Sequence, residues 1–207
     1  MALQLVYPDV LGAVTGGARI TAGPLQYAAG IFPTHVFLNQ PLEIVIIMQN
    51  MIDHELRVNV AIKLPRLNQD QQPLIFNCER TRFSVTLLPG EVGLLRVPLV
   101  ALPPTQSRRH YPVRITVQPQ PPPTSRPLRP PDGGPPPSAL LLSPFRLRVL
   151  RDIAFTTQLQ PESDHLVLHF DLAQQSLPRV PSPIKPAYES LWSAQNMRQE
   201  EQLVRSH

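Results

Sequence analysis

The chain has 207 residues, 42% of them hydrophobic, which is enough for one sizeable domain with a packed core. Its net charge of +4 comes mainly from 17 arginines scattered along the chain, so we do not expect a dedicated nucleic-acid binder, which concentrates its charge. The single cysteine, Cys78, excludes an intrachain disulfide, and an apolar run of at most about five residues excludes a membrane-spanning helix, which needs roughly 20. The N-terminus lacks the basic and apolar regions of a signal peptide, which favours a cytoplasmic location.

Proline divides the chain into parts. Ten of the 27 prolines fall within the 19 residues 119–137. Because each proline fixes φ and removes a backbone donor, this stretch suits neither a helix nor a sheet interior. We therefore predict a glycine-rich, partly ordered segment over 1–35 and a β-sandwich over 36–176 that contains a proline-rich loop, 118–138. A proline linker and a C-terminal helix follow over 177–207.

Strand signals dominate the middle of the chain. Leu42–Met48 is a β-branched run with both faces apolar, which predicts a central strand. Leu56–Leu64 alternates strictly, which predicts a half-buried strand. Pro98 lies inside a third apolar segment and indicates an edge position or a bulge there. Three more strands are predicted in this region: Phe83–Leu87, Leu94–Val100 and Tyr111–Val117. Strands joined by short turns, with no helical pattern between them, predict an antiparallel all-β sandwich.

Three further strands are predicted after the proline-rich loop: Phe145–Val149, Ile153–Leu159 and Leu166–Leu172. They complete the first sandwich or form a small second sheet. We favour completion, because an isolated three-stranded sheet has little core to bury. On the last of these strands His165 and His169 would share a face about 13 Å apart, at roughly 3.3 Å per residue, which is too far for one metal ion.

The proline-rich loop itself has two interpretations. It is a surface connection between two strands, or it is a ligand for a proline-recognising domain, since Pro127–Pro130 has the PxxP spacing. We favour the surface connection, because this spacing arises readily in a chain so rich in proline.

The segment Ala187–Arg205 contains good helix formers and no proline or glycine, which predicts a short C-terminal helix. Tyr188, Leu191 and Trp192 would provide an apolar anchor on it. A helix of this length is marginal alone and has to dock, either on its own sandwich or on a partner. The sequence leaves both open.

Common catalytic motifs are absent from the sequence. Cys78 has no nucleophile motif around it and fits a small buried hydrophobe. The patterns GxSxG, GxxxxGK[ST] and HExxH do not occur. We therefore expect no enzyme, no cofactor and no metal, and no catalytic, cofactor-binding or metal-ligating residue is assigned.

Four sequence features together carry a resemblance to a known family. They are Asn50 after an apolar strand, an alternating strand ending at Leu64-Pro65, the turn Leu88-Pro-Gly-Glu91, and the strand Tyr111–Val117. In this layout, residues 36–118 resemble bacterial immunoglobulin-like sandwich modules, and the whole chain is similar to uncharacterised bacterial proteins. The resemblance implies an immunoglobulin-like fold, and such modules serve as spacers, adhesion units and partner-binding domains.

The sequence thus predicts a non-catalytic protein–protein interaction or scaffold module. The partner is an unknown protein, or a second copy that associates through the C-terminal segment. Our candidate contact residues are Tyr188, Leu191 and Trp192, together with Arg146 and Arg148. These two arginines and Arg114 could form a basic stripe on neighbouring strands, although we prefer an ordinary solvated face. The alternative function is a carbohydrate- or surface-binding sandwich. It would need an exposed aromatic platform, and the chain has only one Trp and four Tyr.

Overall fold

The computed structural model describes residues 10–68, 70–120, 150, 152–156, 164–178 and 185–192. These residues form one short helix, α1, and twelve strands in two sheets. The elements are α1 Val10–Thr15, β1 Ile20–Ala22, β2 Leu25–Phe32, β3 His35–Leu38, β4 Pro41–Asn50, β5 Leu56–Lys63, β6 Ile75–Asn77, β7 Arg82–Leu87, β8 Val92–Leu102, β9 Arg108–Gln120, β10 Phe155–Thr156, β11 His165–Ser176 and β12 Ala187–Trp192. None of the described helical residues forms a segment long and apolar enough to cross a bilayer.

The two sheets differ in how their edges are built. Sheet A has the order β1-β2-β4-β8-β12, with β10 also paired to β2 and β6 also paired to β8. Sheet B has the order β3-β11-β9-β5-β7. The pairing of β3 with β11 is parallel, whereas the other ladders between the described strands are antiparallel. The all-β class and the two-sheet arrangement predicted from the sequence are therefore present.

Strict alternation gave correct strand faces. In β5 the side chains of Leu56, Val58, Val60 and Ile62 are buried between the sheets, while those of the intervening residues point outward. The same holds for Tyr111 to Val117 in β9 and for Leu166 to Leu172 in β11. Successive side chains of a strand point to opposite faces, so one buried face fixes the register of the whole strand.

Strand β4 is central, as its two apolar faces predict. Its inner face joins the main core between the sheets, while Val45 and Ile47 on its outer face belong to a second apolar cluster. That outer-face cluster consists of Val10, Leu11, Val14, Ala28, Val45, Ile47, Val92, Leu94, Leu150 and Ile153. Helix α1 and the residues Leu150 and Ile153 thus cover the outer side of sheet A.

The sandwich begins earlier than residue 36. Strand β2 pairs with β4 along its whole length, so residues of the glycine-rich segment are part of sheet A. The small residues Ala28, Ala29 and Gly30 allow this, because both faces of β2 are closely covered. A Cβ at Gly30 would stand 2.5 Å from Ile153 Cγ2 and 2.9 Å from the Ala154 carbonyl oxygen.

The C-terminal helix prediction is wrong over residues 187–192, which form strand β12 against β8. Helix propensity is a weak preference that tertiary contacts override. Here the ring of Tyr188 packs over Gly93, where a Cβ would overlap it, and Leu191 packs against the outer-face cluster. The rest of the predicted helix, 193–205, lies outside the described residues.

Strand β10 belongs to sheet A and strand β11 belongs to sheet B, so this part of the chain completes the first sandwich, as the sequence favours. Only Phe155–Thr156 of the predicted strand Ile153–Leu159 is a strand in the described part of the chain. The predicted strand Phe145–Val149 and most of the proline-rich loop, 121–138, lie outside it. Pro98 occupies a local edge, because the β12 ladder along β8 ends at Arg96 and the β6 ladder begins at Val100.

Candidate functional site

The outer faces of the two sheets differ in what covers them. Sheet A is covered by the outer-face cluster, whereas the outward side chains of β5, β7 and β9 in sheet B are exposed or half-buried. A cleft of about 1000 Å³ opens on this side of sheet B and wraps around the end of β5. Four cationic side chains line it, Lys63, Arg66, Arg82 and Arg114, and we call it the basic cleft.

Strand register brings the cations of the basic cleft together. Lys63, the last residue of β5, stands directly opposite Arg114 of β9. Arg82, the first residue of β7, stands opposite Ala61, which itself stands opposite Thr116. Side chains directly opposite on neighbouring strands have Cβ atoms about 4.5–5.5 Å apart, and two like charges in such positions destabilise the sheet. The Lys63–Arg114 pair is therefore a place where the fold accepts a repulsion that a bound anion would relieve.

Among the residues that the structure describes, no carboxylate compensates the cations of the basic cleft. Its lining includes no Asp or Glu, and within the described parts of the chain none of its four cations has a carboxylate within 4.0 Å. Its other walls are largely apolar, with Leu64, Leu74 and Phe76 among them. Arginine keeps its proton in proteins and donates in a fork that matches a carboxylate. Such a cleft suits a ligand that carries both oxyanions and apolar groups.

A second polar group lies at another edge of sheet B, where β3, β9 and β11 meet. Asp171 Oδ1 accepts a hydrogen bond of 2.8 Å from the backbone N–H of His110, and Asp171 Oδ2 lies 3.1 Å from His35 Nε2. The ring of His110 stands edge-on to that of His169, with their centroids 6.0 Å apart. No group of three or more His, Cys, Asp or Glu in the described residues could hold a metal ion. The arrangement ties three strands together through one carboxylate.

Asp171 makes the acid stability of this edge predictable. The hydrogen bond from the His110 N–H is the largest influence and lowers the pKa of Asp171 below its ordinary 3.8. Desolvation opposes this shift, and the charges of His110, His35 and Arg109 reinforce it. A carboxylate with a lowered pKa in the folded state stabilises it above the unfolded pKa, and this contribution is lost as the pH falls through the folded pKa. We expect the stability difference between the native protein and Asp171→Asn to be largest near about pH 5 and to shrink toward about pH 2. Urea unfolding across that range checks it, and a difference that does not change with pH would contradict it.

The C-terminal candidate residues are used within the chain. The Tyr188 hydroxyl donates a 3.0 Å hydrogen bond to Glu91 Oε1, and Glu91 Oε2 accepts a 2.6 Å bond from the Leu88 N–H. Burial, and then the neighbouring Glu91 carboxylate, hold the pKa of Tyr188 well above its usual range. Of the interpretations left open by the sequence, docking on its own sandwich is the one seen for Tyr188 and Leu191. Any role of these residues toward a partner stays a prediction.

The remaining predicted positions fall as follows. Trp192 is the last residue of β12, and Arg146 and Arg148 lie outside the described residues. His165 and His169 stand opposite Thr116 and Pro112 on β9, four residues apart along β11, as the strand interpretation requires. Cys78 is half-buried against the main core and donates to the Arg80 carbonyl at 3.2 Å, and burial raises the pKa of its thiol.

Sequence reasoning missed most of the basic cleft. The alternation of Leu56–Leu64 and Tyr111–Val117 puts Lys63 and Arg114 on the outward faces of their strands, but the basic stripe predicted from the sequence joins Arg114 to Arg146 and Arg148 instead. The signal that finds the cleft is the pairing of β5 with β9, which local sequence does not contain. Arg66 follows β5 in a loop and Arg82 begins an edge strand, so neither carries a periodic signal.

No protein-family model and no curated protein sequence matches the chain. Among solved structures it is similar to the apo form of the Calx CBD1 domain, with a TM-score of 0.29 and 10% identity over 45% of this chain and 81% of that one. It is also similar to the Pseudomonas fluorescens alkylpurine DNA glycosylase AlkC bound to DNA containing an abasic site analog, with a TM-score of 0.28 and 15% identity. That likeness covers 52% of this chain and 29% of the glycosylase chain. At these scores neither likeness carries an argument about fold or function.

Proposed function

We propose that this chain is a non-catalytic interaction module on an immunoglobulin-like sandwich, and that it binds an acidic segment of a partner protein in the basic cleft. The observation that carries the proposal is the uncovered Lys63–Arg114 pair. The chain covers the outer face of sheet A with its own helix and apolar residues, but among the described residues the four cations of the basic cleft beside sheet B have no carboxylate partner. A partner that supplies carboxylates would complete this face.

The order of the strands supports an immunoglobulin-like assignment. Strands β2, β4, β8 and β6 lie side by side in sheet A, and β5, β9 and β11 lie side by side in sheet B. This is the arrangement in which strands A, B, E and D face strands C, F and G. The Tyr111 hydroxyl, near the start of β9, also donates a 2.6 Å hydrogen bond to the Gln106 carbonyl, five residues upstream. A tyrosine that bonds back in this way near the start of strand F is a known feature of such sandwiches.

The chemistry of the cleft favours binding over catalysis. Lysine and arginine at an exposed site hold a fixed positive charge at neutral pH, so they attract and orient anions rather than transfer protons. The apolar walls near Leu64 and Phe76 suit the aliphatic parts of a peptide. Both features fit an acidic, partly apolar protein segment better than a neutral sugar, which was the alternative predicted from the sequence.

Removing the central charge pair is expected to weaken binding of an acidic probe. In the double variant Lys63→Gln and Arg114→Gln, the affinity for a labelled octaglutamate peptide should fall roughly tenfold at low salt, since each exposed charge contributes up to about 1 kcal/mol. Fluorescence anisotropy measures this directly. Binding by the native protein should also weaken as salt rises and the Debye length falls below about 10 Å.

The matched control is the double variant Arg57→Gln and Arg109→Gln, which removes the same net charge from exposed residues outside the basic cleft. It should keep most of the affinity. Equal loss in the two double variants would mean that only net charge matters, and the proposal that the cleft is the site would be wrong. Several sequence predictions remain proposals beside it: the scaffold role of the C-terminal segment, self-association, the bacterial origin and the cytoplasmic location.

A further inference from the structure

Strand β7 is the outermost strand of sheet B on the side of the basic cleft. It pairs with β5 over Arg82–Leu87, and the described residues contain no other strand paired with it. Arg82 lines the basic cleft, and together with Phe83 and Ser84 it lines a smaller neighbouring cleft of about 380 Å³. The edge of β7 and the basic cleft are therefore continuous.

Register fixes which backbone groups of β7 point away from the sheet. The Ile62 N–H donates to the Thr81 carbonyl at 2.8 Å, and these two residues are directly opposite by extension of the β5–β7 register. Hydrogen-bonded and non-hydrogen-bonded pairs alternate along an antiparallel ladder. The backbone groups of Phe83, Val85 and Leu87 therefore bond to β5. Those of Arg82, Ser84 and Thr86 point out from the edge, and the side chains of these three residues are exposed as well.

Most of the other strands that border the sheets are covered within the described residues. In sheet A, β1 and β10 pair along the outer edge of β2, while β12 and β6 pair along that of β8. Strand β12, which has six residues like β7, is the outermost strand there, but none of its residues lines the basic cleft. At the opposite border of sheet B, β3 has only four residues, and the chain directly after it bonds to sheet A through the Asn39 N–H and the Ala101 carbonyl, at 2.9 Å. An uncovered edge strand is a ready template for pairing with another chain.

We infer that the β7 edge takes an extended strand of a partner protein in which acidic and apolar residues alternate; this rests on the proposed function and specifies how the partner binds. Main-chain bonds to Arg82, Ser84 and Thr86 would supply affinity, as in other cases of β-strand addition. An acidic side chain opposite Arg82 would form a cross-strand ion pair on the outer face. Apolar side chains on the inner face would cover Phe83, which is only partly buried against the main core.

Charge argues against the two longest segments outside the described residues as the occupant. Residues 121–149 contain four arginines and one aspartate, a net charge of +3. Residues 193–207 contain two arginines and two glutamates, a net charge of 0 without histidine. Neither segment carries the negative charge that would complement Arg82 and the basic cleft.

The test uses the full chain and two blocked eight-residue peptides, one alternating Glu and Val and the other alternating Thr and Val. Binding is followed by NMR and by hydrogen exchange at the amides of Arg82, Ser84 and Thr86. We expect the Glu–Val peptide to bind more tightly than the Thr–Val peptide and to protect these three amides. Ser84→Pro should weaken binding of the Glu–Val peptide roughly tenfold. The Ser84 N–H points away from β5, and its loss removes a hydrogen bond to the peptide. Ser84→Ala, which keeps the N–H, should bind as the native protein does.

A second measurement does not depend on how the variants fold. Methylating every other backbone nitrogen of the Glu–Val peptide, on the side that faces β7, should abolish protection of the three amides.

Normal binding of Ser84→Pro, or of the methylated peptide, would overturn the edge inference. Suppose that the Glu–Val peptide shifts only the NMR signals of Lys63 and Arg114 and leaves the amides of Arg82, Ser84 and Thr86 unprotected from exchange. In that case the edge inference fails and the proposed function stands. If the Thr–Val peptide binds equally well with edge protection, strand addition stands and the acidic partner fails. A dimer of the native chain that Ser84→Pro dissociates would assign the edge to a second copy and overturn the foreign partner.

Discussion

Replacing Gly93 with alanine is expected to displace Tyr188 and release β12 from sheet A. Gly93 does not have a left-handed backbone, so alanine fits it conformationally. A Cβ there, however, would overlap the hydroxyl and the ring of Tyr188. Overpacking of this kind costs about 1–3 kcal/mol, and the hydrogen bond from Tyr188 to Glu91 is lost with it. Urea unfolding measures the loss of stability, and hydrogen exchange at the amides of residues 187–192 shows whether the strand is released.

A double-mutant cycle separates the steric effect from an effect on β8 itself. The three atoms nearest to a Cβ at Gly93 all belong to the Tyr188 ring and hydroxyl, and Tyr188→Ala removes them. In that background, Gly93→Ala should be neutral or stabilising by about 0.5–1 kcal/mol, because glycine inside a strand loses more conformational entropy than alanine. The loss of stability caused by Gly93→Ala should therefore be absent in the Tyr188→Ala background. The same loss of stability in both would show that Tyr188 does not occupy this position.

The strands that could be predicted from the sequence are those whose signal is local. The faces of β5, β9 and β11 follow from alternation, since one buried face determines every second side chain. The position of β12 could not be predicted this way. Its residues favour a helix, and the reason they form a strand is a recess at Gly93, almost 100 residues earlier in the chain. Likewise β2 contains too many small residues for an apolar pattern, and those residues are what allows close packing on both of its faces.

The candidate site shows the same division between local and long-range information. That Lys63 and Arg114 point outward is a property of each strand alone. That they stand opposite one another is a property of the β5–β9 ladder, which joins residues about 50 positions apart. The free edge of β7 is harder still to predict from the sequence. It depends on which strand is outermost in the sheet and on which alternate residues of that strand bond to β5. Binding surfaces on a sandwich of this kind therefore emerge only with the strand order.

Phe170, in an aromatic cluster of the main core, should carry the largest single contribution to stability. Phe170 is 1% exposed, and its ring lies 5.6 Å from that of Tyr111 and 6.1 Å from that of Phe76, centroid to centroid. Phe170→Ala is expected to cost about 3–5 kcal/mol, through lost burial and the cavity left behind. Against a typical total of about 5–15 kcal/mol, this would move the urea midpoint strongly while leaving the slope unchanged.

The adjacent residue supplies the matched control for Phe170→Ala. His169 is exposed on the opposite face of β11, so His169→Ala should change stability by no more than about 0.5 kcal/mol. Phe170→Leu should recover most of the loss, because leucine refills much of the cavity. Comparable losses at 169 and 170 would mean that β11 is not held in a single register. Since a shift of one residue exchanges the two faces of a strand, that result would also remove Asp171 from its contacts with His35 and His110.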